Sequence, residues 1–256
     1  MKLLIVSQYF WPENFQINDI AKTLIEQGHE VDVLTGQPNY PDGKIFGGYK
    51  ACSFKYHRWN RVNIFRMPLI PRKNSSTLFL TLNYISFIIS TMLFSPIKLR
   101  RKQYDVIFVY GVSPIFQALP AILLGRLKKI PVALWIQDLW PESLKATNYI
   151  KSKFWLGLVN KLVLYIYKKT NLILVQSEAF IDRIESKIKH KKVLYHPNSV
   201  GTIFFSKKNT VKVNLKSLKS GFNIVFTGNI GAAQSLHTII KSAELLMKYK
   251  EIKFIF

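Results

Sequence analysis

Short apolar runs recur along the chain, at Leu3 to Ser7, Val31 to Thr35, Asn63 to Met67, Asp105 to Tyr110, Val132 to Ile136, Leu172 to Gln176 and Asn223 to Thr227. Helix-period segments separate them. Continuous apolar strands alternating with amphipathic helices predict an α/β fold, a doubly wound parallel sheet with helices on both faces. In Gln16 to Gln27 the residues Ile17, Ile20, Ala21, Leu24 and Ile25 fall on one helix face, and Gly28 supplies the stop. Leu236, Ile239, Ile240, Ala243, Leu246 and Met247 make a second stripe within Gln234 to Lys248. Trp155, Leu158, Val159, Leu162, Val163 and Ile166 make a third, with Trp155 read as a packing residue. All three stripes are expected to face a core.

Leu78 to Ser95 differs from these. Its eighteen residues carry no charge and lie between Arg72-Lys73 and the basic stretch Lys98 to Lys102. That meets the length of a membrane span. Thr81, Asn83, Ser86, Ser90 and Thr91 lower its hydrophobicity, so a span, a helix lying on or dipping into a membrane surface and a buried helix are all open readings, the surface helix being favoured over the span.

The pattern changes after Pro197-Asn198. Lys207 to Ser220 is polar and lysine-rich, a new strand, loop and helix begin at Phe222, and another strand opens at Lys253. We therefore expect an N-terminal domain over residues 1–199, then a linker and the start of a second, incomplete domain over 200–256. The apolar end Lys253 to Phe256 reads as a strand without neighbours, as in a sequence cut short.

Composition adds three points. With 48% hydrophobic and 14% aromatic residues the chain can bury a full core. Its 37 basic and 14 acidic residues give a net charge of +23, which attracts nucleic acid, an anionic membrane face or a phosphorylated substrate. The basic residues are dispersed and accompany no nucleic-acid-binding motif, so no nucleic acid partner is expected, whereas an anionic membrane surface is. The single cysteine, Cys52, excludes a disulfide framework and a multi-thiolate metal site. With no secretory signal ahead of the first strand, a cytoplasmic location is expected.

Ligands of doubly wound sheets bind outside the carboxyl ends of the strands. The segments there are Gln8 to Asn14, Gly111 to Pro114, Gln137 to Glu142, Ser177-Glu178, His196 to Asn198 and Gly228 to Gly231. No Gly-x-Gly-x-x-Gly follows the first strand, and no Walker A, Asp-x-Asp or Gly-x-Ser-x-Gly occurs. Nicotinamide, P-loop, metal-diphosphate and serine-hydrolase chemistries lose support accordingly.

Tyr9 to Glu13, the helix ending Gly28-His29-Glu30-Val31, the run Trp135 to Ser143 and Gly228-Asn229-Ile230-Gly231 together resemble family 4 glycosyltransferases. Within that family the chain is most similar to the fucosamine transferase and colanic-acid branch of bacterial surface-polysaccharide assembly. The resemblance spans the whole chain. It implies a GT-B fold and a retaining, metal-independent hexosyl transfer without a cofactor, from a UDP- or GDP-sugar to a polyprenyl-diphosphate-linked glycan. The location it implies is peripheral, at the inner face of the cytoplasmic membrane. The N-terminal domain would hold the acceptor and the C-terminal domain the nucleotide.

The candidate residues follow from both readings. Asp138, after a buried strand, is either a helix cap or a carboxylate for sugar hydroxyls. Gln137 stands where many relatives carry a histidine that contacts the donor sugar. Glu13 and Asn14 start a helix or line the acceptor side. Ser113, Ser177 and Asn198 are further substrate-side candidates. Gly228, Asn229, Gly231 and Gln234 occupy the donor-diphosphate position, but relatives place an arginine and a lysine where this chain has Asn229 and Gln234. The family's Glu-x7-Glu pair would fall beyond Phe256, so the chain alone is expected to be inactive. An inactive fragment and a basic membrane-associated binding protein are the alternative readings.

Overall fold

The computed structural model describes residues 1–73, 76–146, 152–188, 192–200, 221–228 and 234–256. The chain forms two compact units, one of Met1–Glu142 with Ser152–Gly201, the other of Ser143–Lys151 with Thr202–Phe256.

The first unit is built on strands β1 (Lys2–Val6), β2 (Glu30–Gly36), β3 (Lys55–Trp59), β4 (Val62–Met67), β5 (Val106–Gly111), β6 (Val132–Ile136), β7 (Leu172–Val175) and β8 (Lys192–Tyr195). Its helices are α1 (Gln16–Glu26), α2 (Thr77–Lys98), α3 (Ala118–Lys128), α5 (Lys153–Lys169) and α6 (Ala179–Glu185), and the short α4 (Glu142–Ala146) begins at its last residue before the division. The eight strands run β3-β4-β2-β1-β5-β6-β7-β8, parallel throughout except β3 against β4. From β1 the chain winds outward through β2, then returns to start again at β5. The switch point therefore lies between β1 and β5, where crossovers leave a crevice at the strands' carboxyl ends.

Two strands fall outside the expected apolar runs. β3 reads Lys-Tyr-His-Arg-Trp and pairs with β4 through the two-residue turn Asn60-Arg61, whose φ angles of 47° and 67° suit a tight hairpin. β8 is a short edge with only Val193 buried. Helix α1 matches its expected face: Ile17, Ala21 and Ile25 are buried against Ile5, Val31, Val33 and Ile64. Each such isoleucine contributes about 1.5–3 kcal/mol relative to exposure.

The stripe on α5 is only half correct. Val163, Ile166 and Tyr167 are buried, whereas Trp155 is 55% exposed and Leu158 is 51% exposed. The apolar residues thus outrun the surface that this helix covers, and Trp155 is not a packing residue.

Helix α2 inverts the usual arrangement. Asn83, Phe87, Thr91 and Ser95 are its buried residues, one per turn. Leu78, Ile85, Ile89, Leu93, Phe94 and Ile97 face outward. Polar bonds cause the inversion. Asn83 Nδ2 donates to the Ile70 carbonyl at 2.6 Å, Ser90 Oγ to the Pro68 carbonyl at 2.6 Å, and Ser86 Oγ accepts from the Ile70 N–H at 2.9 Å.

The second unit contributes β9 (Phe222–Val225), α7 (Leu236–Leu245) and β10 (Ile252–Ile255). Contrary to the sequence expectation, the strand at Lys253 has a neighbour, since β10 pairs in parallel with β9. Helix α7 buries none of its residues, so its stripe is not yet a core face. A two-stranded sheet offers too little surface to cover it.

The inversion of α2 gives a direct test. Asn83→Ala strands the buried amide of Gln8 and should destabilise the fold by about 1–3 kcal/mol. Ile89→Ala, at an exposed position, should stay within about 0.5 kcal/mol. Urea unfolding of the two variants measures the order, which hydrophobicity alone would reverse.

Candidate active site

The loops at the β1/β5 switch descend into the protein, and their backbone groups must be paired away from water. Side-chain amides supply the partners. The Gln8 N–H donates to Gln117 Oε1 at 2.8 Å, and Gln8 Nε2 donates to Asn83 Oδ1 at 2.7 Å. Asn83 Nδ2 also reaches Asn39 Oδ1 at 3.3 Å, and Asn39 Nδ2 donates to the Gln37 carbonyl at 2.9 Å. Gln117 Nε2 donates to the Val112 carbonyl at 2.7 Å, tying the loop after β5 to the same seam. Gln8, Gln37, Asn39, Asn83 and Gln117 are all essentially inaccessible to solvent.

Glu13 belongs to this buried layer rather than to an exposed surface. It is 2% exposed, and its carboxylate accepts from the N–H groups of Asn39 at 2.9 Å, Tyr40 at 2.8 Å and Phe10 at 3.3 Å. The segment after β1 is thereby locked to the segment after β2. Burial outweighs these donors and the nearby Arg66 charge, and pushes the Glu13 carboxyl up to about 7. Burial likewise lowers the Arg66 guanidinium to about 10. Nor does Glu13 start α1: Phe15 stands at the N-cap without a side-chain bond. Asn14 is exposed beside it. Asn18 closes the loop instead, accepting from the Trp11 N–H at 3.0 Å and donating to the Glu13 carbonyl at 2.7 Å.

Above this layer sits an aromatic group. Tyr9 stacks on Phe15 with ring centroids 5.1 Å apart, Tyr40 packs on both, and the Arg72 guanidinium lies 5.1 Å over Tyr40.

Across the switch, Ser113, Gln137 and Asp138 come together. Ser113 Oγ donates to Asp138 Oδ2 at 2.7 Å and accepts from Trp140 Nε1 at 3.0 Å. Trp140 is buried against Phe116, while Asp138 is exposed. The carboxylate is thus oriented by a fixed hydroxyl and open to solvent. It precedes α4 by four residues. Beneath it, burial and then the Asp138 charge push the Tyr110 hydroxyl up to about 12. The Gln137 N–H bonds the Gly111 carbonyl at 3.1 Å, extending the β5/β6 ladder. Its buried Nε2 has no partner among the described residues. Gly111 is required here, since a Cβ would meet the Trp135 carbonyl oxygen at 2.7 Å.

Two of the remaining candidates, Ser177 and Asn198, lie farther along the same edge. Ser177, after β7, is half-buried and its carbonyl accepts from the Phe180 N–H at 3.0 Å. Asn198 is exposed just after His196, whose carbonyl accepts from Trp135 Nε1 at 2.9 Å. Gly228 and Gln234 are exposed in the second unit, while Asn229 and Gly231 lie outside the described residues. Sequence reasoning overlooked Gln8, Asn39, Asn83, Gln117 and Trp140. The first of these has a signal, being the residue at which the first strand turns polar, and Asn83 is the one amide within the uncharged run.

Glu13 yields a pH test. Its folded-state value of about 7 exceeds the ordinary 4.5, so its contribution to stability is complete below pH 4.5 and is lost as pH rises through 7. The loss is on the order of 3 kcal/mol. His57, held near 4 by burial, acts in the opposite direction, so the comparison must be made against Glu13→Gln. The difference in unfolding free energy between wild type and Glu13→Gln should fall between pH 4.5 and 7 and then level off.

The glycosyltransferase family 4 model matches residues 15–202. A protein of Escherichia coli (strain K12) named for colanic acid biosynthesis, the glycosyl transferase WcaI, is 26% identical over 264 residues, covering 96% of this chain and 63% of the relative. The chain thus spans less than two thirds of that relative's length. Among solved structures, an α,α-trehalose-phosphate synthase (UDP-forming) from Burkholderia vietnamiensis superposes with a TM-score of 0.61 at 14% identity, over 99% of this chain and 63% of that one. An α,α-trehalose 6-phosphate synthase from Burkholderia multivorans gives 0.58 at 12% identity, over 99% and 64%. These likenesses show the GT-B fold, and the family match, which runs from just before α1 past Asn198 and so covers more than half of the chain, places the chain in glycosyltransferase family 4.

Proposed function

We propose that residues 1–199 form the acceptor-side domain of a retaining, metal-independent hexosyltransferase of bacterial surface-polysaccharide assembly, and that residues 200–256 open its nucleotide-sugar-binding domain. The observation that carries this reading is the exposed Asp138 carboxylate, held by Ser113 and Trp140 at the carboxyl edge of the sheet. An oriented, solvent-open carboxylate accepts hydrogen bonds from sugar hydroxyls, and Gln137 stands beside it at the same edge. Glu13 is a positioning residue that fixes the loop carrying Tyr9 and Asn14.

The donor is a UDP- or GDP-sugar and the acceptor a polyprenyl-diphosphate-linked glycan at the inner face of the cytoplasmic membrane. The relative's name supports a polysaccharide pathway, and the net charge of +23 favours both an anionic membrane and a diphosphate. Ser177 and Asn198 extend the substrate edge of the first unit. At the donor diphosphate Gly228, Asn229, Gly231 and Gln234 offer backbone N–H groups and amides in place of fixed cations. A helix N-terminus favours an anion by about 0.3–1 kcal/mol when exposed, less than a pair of charges would.

Two outcomes test this. Calorimetry of the 256-residue chain with UDP- and GDP-sugars should give a dissociation constant of about millimolar or weaker, equivalent to about 4 kcal/mol. Micromolar binding would contradict the assignment of the donor side. In an enzyme that joins this domain to a complete nucleotide-binding domain, Asp138→Asn should lower turnover at least tenfold, about 1.4 kcal/mol, without changing the melting temperature. Unchanged turnover would remove Asp138 from the site.

A further inference from the structure

The outward face of α2 leaves a row of large apolar side chains uncovered. Leu78 and Ile97 are each 65% exposed, Leu93 61%, Ile89 52% and Ile85 46%. Phe54, from the loop before β3, extends the patch: its ring meets Phe94 edge-on at 4.9 Å, and Lys98 Nζ lies over the ring, 4.5 Å from its centroid. No charged side chain interrupts the helix between Thr77 and Ile97. Cations frame it, with Arg72 and Lys73 before the helix and Lys98, Arg100, Arg101 and Lys102 at its end.

We infer that this face is a monotopic membrane-docking surface, with α2 lying along an anionic bilayer at headgroup depth and its Asn83–Ser95 stripe still bound to the protein. The proposal rests on the membrane-linked acceptor reading above and assigns to it one surface and one orientation. Three features choose the occupant. An uncharged apolar strip bounded by lysine and arginine matches an anionic interface, where the strip meets acyl chains and the cations meet headgroups. A second copy of the chain is disfavoured, because each copy brings a net charge of +23 to the contact. A transmembrane crossing is disfavoured as well. Although α2 is long and apolar enough to cross a membrane, Asn83, Ser86 and Ser90 are bonded to Gln8, Ile70 and Pro68, and Phe87, Thr91 and Ser95 are buried. Crossing would tear that polar stripe from its partners and expose it to hydrocarbon, where unsatisfied groups are costly.

The single cysteine supplies a probe without any substitution. Cys52 is exposed two residues from Phe54. The protein labelled there with an environment-sensitive fluorophore is mixed with vesicles of phosphatidylcholine containing phosphatidylglycerol. The emission should shift to the blue, and nitroxides near the headgroup should quench it more than nitroxides at the acyl-chain end. Ile89→Glu with Leu93→Glu should lower vesicle partitioning at least tenfold while the thermal melt stays close to wild type, since both positions are exposed. Partitioning should weaken with added salt. Vesicle binding with the Cys52 probe still in water, and undiminished in the double variant, would overturn this surface while leaving the membrane reading intact. Absence of any vesicle binding would overturn both. Deep quenching with release only by detergent would replace docking by a span, and a concentration-dependent dimer abolished by the double variant would assign the face to a second copy.

Discussion

Every parallel sheet of this kind faces the same constraint at its carboxyl edge: the chain leaves each strand through the interior, and the polar groups it takes there need partners that water cannot supply. In this protein the partners are side-chain amides. Gln8 joins Gln117 on one side to Asn83 on the other, and Asn83 continues to Asn39 and Ile70. The seam links β1, the segments after β2 and β5, and α2. Removing one amide would leave others buried and unpaired, which makes the network cooperative.

Two features of the surface follow from that interior. Asn83 must face inward, and on a helix residues four apart share a face, so Phe87, Thr91 and Ser95 turn inward with it. The large aliphatic residues are left outside. The second consequence is at the crevice. With Glu13 taking up the N–H groups of Asn39 and Tyr40, the Tyr9, Phe15 and Tyr40 rings are held together on one side of the switch, while the Ser113, Asp138 and Trp140 chain is held on the other. The site and the outward face of α2 are thus two products of one polar core.

The strands buried on both faces were legible because continuous apolar runs have few other uses, and their carboxyl ends located the crevice before any geometry. β3 was not legible: Lys55, His57 and Arg58 interrupt any apolar run, and the strand exists because Asn60-Arg61 turns it back onto β4. The stripe on α5 was over-read, since periodicity reports a possible buried face and not how far the neighbouring surface extends along it. Asp138 could be singled out from its place after β6, but its orientation depends on hydrogen bonds through Ser113 and Trp140 that the sequence does not show. Glu13 shows a different limit. Its place in the loop left a helix start and an acceptor-side ligand both open, and burial and three backbone donors make it a brace.

The central claim is that the Asp138, Ser113 and Trp140 chain meets the sugar. Trp140 reports on it directly, because its indole N–H donates to the hydroxyl that orients the carboxylate. In a nitrogen-15 correlation spectrum the five tryptophans give separate indole signals. Titration with methyl hexosides should shift the Trp140 indole resonance and leave that of Trp59, on the edge strand β3, in place. A titration that moves other indole signals while Trp140 stays fixed would contradict the account.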